Sequence, residues 1–327
     1  MFIKIFRIVV AALFLAAAAL PVHADIIVRL KDGRAINLAV SPDEIQSIDF
    51  GKDINADANR ISGLPPAPKP LLGVTMRGDK RVLAVGPSRA LKNPSDATRV
   101  AENGDIIEID AGDYRGDVAV WKKNNLTIRG IGGRPHIDAG GNNADDKALW
   151  VIKGANTTIE NIEISGARVA DENGAGIRQE GPNLTLDNCY FHDNQMGILT
   201  GANPMSDIII RNSEFARNRL EAKGSSHIGH NIYIGAVRSF TLINTYVHDA
   251  MSGHNVKSRA AHSNILKNRI EDGKNGSASY LLDLPAGGVA VVQGNYFQKG
   301  SKAENPGSIS YGAEKMLHQE NSLTVTG

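Results

Sequence analysis

Short stretches in which apolar and polar residues alternate at period two fill the chain from about residue 104 onward, and none carries the long 3.6-residue stripe of an amphipathic helix. Such alternation predicts strands with one buried face. The stretches end on similar phrases, among them Thr158-Ile159-Glu160-Asn161, Thr185-Leu186-Asp187-Asn188 and Ile209-Ile210-Arg211-Asn212. Asn recurs at 161, 188, 212, 244, 268 and 295, with gaps of 27, 24, 32, 24 and 27 residues. Self-similarity at this period predicts a solenoid. The Leu-x-x-Leu-x-Leu ladder of leucine-rich repeats is missing, which leaves a parallel β-helix whose coils stack at ~4.8 Å. The six Asn side chains are expected to stack in one turn and bond to one another. The open end of such a coil is an unpaired edge that needs a cover. Pro87 to Asn103 reads as that cap, with helical pieces, and Gly104 to Tyr114 as the first coil.

Upstream, Lys4 and Arg7 precede the apolar run Ile8 to Leu20 and the small-residue end at Ala24, the pattern of a secretory signal peptide spanning 1–24. Residues 25–62 read as a small β module: two alternating segments joined by Lys31-Asp32-Gly33, a hairpin signal. Residues 63–85, beginning Gly63-Leu64-Pro65-Pro66, form a stiff linker and lead-in, and 86–327 form the β-helix domain. The expected location is therefore secreted or periplasmic.

Composition narrows the partners. Removing Lys4 and Arg7 from 36 basic residues leaves 34 against 35 acidic ones. Nucleic acid is therefore not expected as a partner, since displacing its counterions needs a basic excess. After residue 24 no stretch is long and apolar enough to span a bilayer. The single cysteine, Cys189, excludes an internal disulfide and is expected to be buried rather than reactive. The sequence assigns no metal site.

The phrase Gly104-Asp105-Ile106-Ile107-Glu108-Ile109-Asp110-Ala111-Gly112-Asp113-Tyr114, followed by Asn125-Leu126-Thr127-Ile128-Arg129-Gly130, resembles the entry coils of right-handed parallel β-helix proteins of the pectate-lyase-like class. The resemblance implies an all-β, right-handed parallel β-helix. That fold hosts lyases, epimerases, hydrolases and binders, so the site must argue the function.

A second register aligns Ile177, Ile198, Ile232, Val256 and Leu282 as inward positions. Their successors Arg178, Leu199, Tyr233, Lys257 and Asp283 should point outward. Tyr233, Lys257 and Asp283 then stand in adjacent coils on one outer face, with Arg259 two positions beyond Lys257 on the same side. His230 and His254 fall in register in Gly-His-Asn phrases. The candidate catalytic residues are Lys257, Tyr233, Arg259 and His254; Arg178, His230 and Asp283 are candidates for substrate binding. His192-Asp193 and His248-Asp249 recur after the Asn phrases and read as turn residues.

Extended polymers suit a groove along stacked coils. In a uronate polymer, β-elimination starts with removal of the C5 proton beside the carboxylate, whose charge must be offset by Arg, Lys or a metal. A base takes that proton and a second group protonates the leaving oxygen. Arg259 and His254 beside Lys257 favour loss of its proton, and Asp283 opposes it. Asn255-Val256-Lys257-Ser258, then Asn268, then Val292-Gln293-Gly294-Asn295-Tyr296-Phe297, resembles the polysaccharide lyase family containing chondroitinase B and some alginate lyases. The resemblance implies that Lys257 is the Brønsted base and that calcium could serve as cofactor; Asp145-Asp146 is the tight acidic pair within the coils. Where that family carries a catalytic arginine, this chain has Pro285. The expected function is a polysaccharide lyase acting on an acidic polysaccharide, with a C5 uronate epimerase or a non-catalytic glycan-binding surface protein as alternatives.

Overall fold

The computed structural model describes residues 26–29, 35–38, 73–218, 229–250, 253–274 and 276–327. The expected signal peptide, the Pro-rich segment and the insertion at 222–227 lie outside the described residues. The chain divides into a unit up to Pro68 and a second unit from Lys69 to Gly327. In the first, Ile26–Arg29 pairs antiparallel with Ala35–Leu38, as the hairpin signal predicts.

The second unit is a parallel β-solenoid built on three sheets. The first sheet runs Ala119–Trp121, Ala148–Ile152, Ala175–Gln179, Met196–Thr200, His230–Ile234, His254–Ser258, Tyr280–Leu284 and Ile309–Tyr311. Among the described residues the second has eleven strands, from Val74–Arg77 to Ser322–Thr326, and the third has eight, from Asp113–Arg115 to Tyr296–Gln298. All pairings are parallel except that of Val74–Arg77 with Lys80–Val85. The inward register holds: Trp150, Ile177, Ile198, Ile232, Val256 and Leu282 stack coil on coil and are fully buried. Apolar rows of this kind supply the driving force for stacking, because one coil alone cannot bury its inner face. Aromatic pairs extend the rows, with Phe191 and Phe215 rings stacked at 4.8 Å and Trp121 meeting Trp150 edge-on at 5.5 Å.

The end cap contains a short helix, Pro94–Val100. Pro94 suits the first helical turn, where no N–H is needed, and the Asp96 carboxylate accepts from the Asn93 N–H at 2.9 Å. Ala97 is buried.

The asparagine column differs from the expectation by one residue. Asn161, Asn188, Asn212 and Asn244 share one corner position, each in the left-handed region with φ between 49° and 55°. In the next two coils Lys267 and Gly294 take that position, and Asn268 and Asn295 stand one place later. The exposed column therefore links Asn188 to Asn161 and Asn244 to Asn212, whereas Asn268 and Asn295 bond to each other and to the Leu242 and Ile265 carbonyls. What the corner requires is a residue tolerant of positive φ, which Asn and Gly both are. A second column, Asn194, Asn218, Asn231 and Asn255, is fully buried, with amide-to-amide bonds of 2.9, 2.8 and 2.8 Å. Cys189 is buried as expected, and burial pushes its thiol up to about 12.

Candidate functional site

The outer row of the first sheet runs Val151, Arg178, Leu199, Tyr233, Lys257, Asp283 and Ser310 in register. Adjacent strands bring Tyr233, Lys257 and Asp283 side by side. Arg178 belongs to the row, but Leu199 and Tyr233 stand between it and Lys257, a separation of roughly 14 Å at the interstrand spacing. Around Arg178 the outer face is apolar: Ala148, Val151, Ala175, Met196 and Leu199 form a buried cluster against Val120 and Tyr233.

Lys257 and Asp283 leave the core as expected, yet both are buried, at 8% and 4% exposure. The cover is the segment 312–321, which crosses the outer face after the last strand of the first sheet. The Pro285 carbonyl accepts from the Glu314 and Lys315 N–H groups, Ala286 O from Leu317 N, and the His318 ring lies 3.1 Å from the Arg259 carbonyl. Pro285 thus anchors this strap through the one polar backbone group it has to offer.

The strap carries Glu314 into the site. Its carboxylate accepts from the Arg259 guanidinium at 2.6 and 2.7 Å and from Lys257 Nζ at 3.1 Å. Asp283 Oδ2 lies 3.3 Å from Lys257 Nζ and 3.4 Å from His254 Nε2. Although partial burial pushes the Glu314 carboxyl up, the bonds from Arg259 and Lys257 hold it below the usual carboxylate range. Lys257 is thus paired twice, and any role as a base requires that Glu314 be displaced first. Arg259 also donates to the Tyr233 hydroxyl, with its guanidinium 5.2 Å from the ring centroid.

The two histidines are fixed in a neutral tautomer. Strict alternation would face His254 to the same side as Val256. Instead Asn255 and Val256 are both in the interior, so the strand begins on a corner that turns His254 toward Asp283. His230 Nδ1 accepts from the His254 N–H at 3.1 Å, and His254 Nδ1 accepts from the Tyr280 N–H at 3.2 Å. Each proton therefore sits on Nε2, which in His254 faces Asp283 Oδ2 at 3.4 Å. The rings stack at 5.0 Å, and His230 meets Tyr233 edge-on at 5.3 Å. Burial, then the neighbouring His254 and the Lys257 and Arg259 charges, push His230 well below its ordinary value. Burial pushes His254 down to about 4 against the opposing attraction of Asp283.

Six of the seven sequence candidates, all but Arg178, form this cluster. Glu314 was missed. It lies in a stretch without strand alternation, so no register could place it. Calcium does not fit here, because the Asp283 and Glu314 oxygens are held by cationic side chains. Asp145 is likewise engaged, by Lys153 at 2.5 Å. No helix among the described residues is long and apolar enough to cross a membrane.

A protein family described as right handed beta helix region matches residues 117–303. No curated protein matches the sequence. Among solved structures, the chain is similar to a pectin methylesterase from Aspergillus niger at 11% identity, over 78% of this chain and 94% of that one, with a TM-score of 0.46. It is similar to the Escherichia coli protein YbhC at 13% identity, over 72% and 75%, with a TM-score of 0.48. The pectin methylesterase PemA from Erwinia chrysanthemi is 11% identical over 68% and 79%, with a TM-score of 0.42. Likeness at this level concerns the coiled architecture and carries nothing about the site.

Proposed function

We propose that this chain, which belongs to the right-handed β-helix family, is an exported polysaccharide lyase that cleaves an acidic, uronate-containing glycan by β-elimination. The observation that carries this reading is the bracket of Lys257 and Arg259 around one carboxylate. In the free protein that carboxylate is Glu314; in the complex a uronate carboxylate takes its place. Arg259 then offsets the substrate charge. Once Glu314 has left and Lys257 has given its own proton to solvent, the neutral amine removes the C5 proton, and the electrons of that bond form the C4–C5 double bond as the C4–O bond breaks. The Tyr233 hydroxyl gives its proton to the departing oxygen. Asp283 and His254 orient Lys257 from the other side.

The resemblance of Asn255-Val256-Lys257-Ser258 to the family of chondroitinase B supports the role of Lys257. That family's arginine position holds Pro285 here, and Arg259, two residues beyond Lys257, supplies the guanidinium instead. Removal of residues 1–24 on export belongs to the same reading. One observation favours the alternative of a glycan-binding protein without turnover: Lys257 is engaged by two carboxylates.

The test is incubation with a panel of acidic glycans. A lyase yields the ultraviolet absorbance of an unsaturated uronate, and Lys257→Ala abolishes it while the circular dichroism spectrum stays that of the parent. Solvent deuterium entering C5 without cleavage means an epimerase; saturable binding with neither signal means a binder. Full activity of Lys257→Ala refutes the mechanism.

A further inference from the structure

The third sheet carries a second cluster that the proposed lyase chemistry does not use. His136, Glu163 and His192 come from three successive coils, and their ligand atoms lie within 4.8 Å of one another. His192 Nε2 is 3.0 Å from Glu163 Oε1, and His136 Nε2 is 3.9 Å from the same oxygen. We propose that these three side chains form a binding site for a divalent transition-metal ion.

Three observations support the assignment. The first is the spacing: two ligands on a tetrahedral zinc ion at ~2.05 Å stand roughly 3.3 Å apart, and the two distances to the glutamate oxygen bracket that value. The second is the support behind the ligands. His192 Nδ1 lies 2.7 Å from Asp193 Oδ2, which holds the proton on that nitrogen, so Nε2, now bonded to Glu163 at 3.0 Å, is the nitrogen that gives up its proton to take a metal ion. Asp193 is in turn fixed by two bonds from Arg217, at 2.8 and 3.1 Å. His136 repeats the pattern, with Nδ1 3.3 Å from Asp113. A carboxylate behind an imidazole is the usual way to set tautomer and orientation in a metal ligand. The third is charge. Three carboxylates, Glu163, Asp193 and Asp113, lie against the two imidazoles, while Arg217 and Arg168 both reach Asp193, so the charge that faces a cation between the imidazoles is that of Glu163. The Ser165 hydroxyl, 2.7 Å from His136 Nε2, is the group that a metal ion would displace.

Two imidazoles and one carboxylate suit zinc, cobalt or nickel rather than calcium. The solenoid also supplies its own control. Glu214, His248 and Asp249 repeat the pair two coils on, with His248 Nε2 3.2 Å from Glu214 and Nδ1 2.7 Å from Asp249. The place that His136 takes beside Glu163 is filled there by Tyr190, which stacks on His192 and offers no imidazole. That pair should hold no ion of its own.

The test is titration of the full chain with Co2+ and Zn2+, followed by calorimetry and by the visible absorption of bound cobalt. One ion per chain is expected, with the absorption of a low-coordinate nitrogen–oxygen site. His136→Ala and His192→Ala should each weaken binding at least a hundredfold, Asp193→Asn about tenfold, and His248→Ala hardly at all. Thermal melts without metal check that each variant folds. If the folded parent chain binds no more Co2+ than folded His192→Ala, or if His248→Ala loses as much as His192→Ala, the assignment fails and the three residues are a hydrogen-bonded surface cluster.

Discussion

Glu314→Gln isolates the charge balance of the outer face. As the chain folds, Lys257 and Arg259 are balanced by Asp283 and Glu314. The substitution keeps the shape of the strap and removes one negative charge, so an incoming glycan carboxylate no longer meets a like charge beside the cations. At roughly 5 Å and an effective dielectric of roughly 40, the repulsion removed is about 1.7 kcal/mol. The Glu314 side chain is half exposed, and solvent screening reduces this to about 1 kcal/mol, or about fivefold tighter binding. The same exposure limits the stability cost of the lost ion pairs to about 1 kcal/mol or less. Calorimetric titration with an acidic oligosaccharide reads the affinity, and denaturant unfolding reads the cost. The gain should shrink as salt rises from low to about 1 M, since the Debye length falls to about 3 Å. Unchanged or weaker binding at low salt would refute the idea that Glu314 stands in for a substrate carboxylate. Loss of turnover with tighter binding would instead give Glu314 a chemical role beyond pairing.

Other outcomes follow from the same geometry. His254 is buried and neutral, with its folded value at about 4 against 6.5 unfolded. Between those values the unfolded chain binds more protons, so its contribution is present above about pH 6.5 and is lost as pH falls toward 4. The loss is on the order of 2 kcal/mol, and thermal melts from pH 7 to 5 should show a decline that is smaller in His254→Gln. Asn231→Ala strips partners from the buried amides of Asn218 and Asn255 and from the His248 carbonyl, which should cost about 3 kcal/mol in urea unfolding. Asn244→Ala, in the exposed column, should cost about 1 kcal/mol or less; equal costs would contradict the difference in burial.

The fold was legible because a solenoid writes its geometry as a period. The Ile177, Ile198, Ile232, Val256 and Leu282 alignment is reproduced pair by pair in the strand register, and with it the meeting of Tyr233, Lys257 and Asp283. Three things escaped. The slip of the asparagine column at Lys267 was hidden because Asn recurs one place on, at 268, so identity survived while phase changed. The turning of His254 toward Asp283 depends on a corner that breaks alternation. The burial of Lys257 depends on Glu314 and its strap, a non-periodic segment whose position is set by backbone bonds to Pro285 and Ala286.

The strap joins Ile309–Tyr311 of the first sheet to Ser322–Thr326 of the second, so it is pinned at both ends. Its carboxylate is therefore an internal competitor at an effective concentration in the millimolar range or above. A lone sugar acid with millimolar affinity for the two cations loses that contest. A chain that also touches neighbouring coils gains avidity and wins it, so the tether itself selects polymers over monomers.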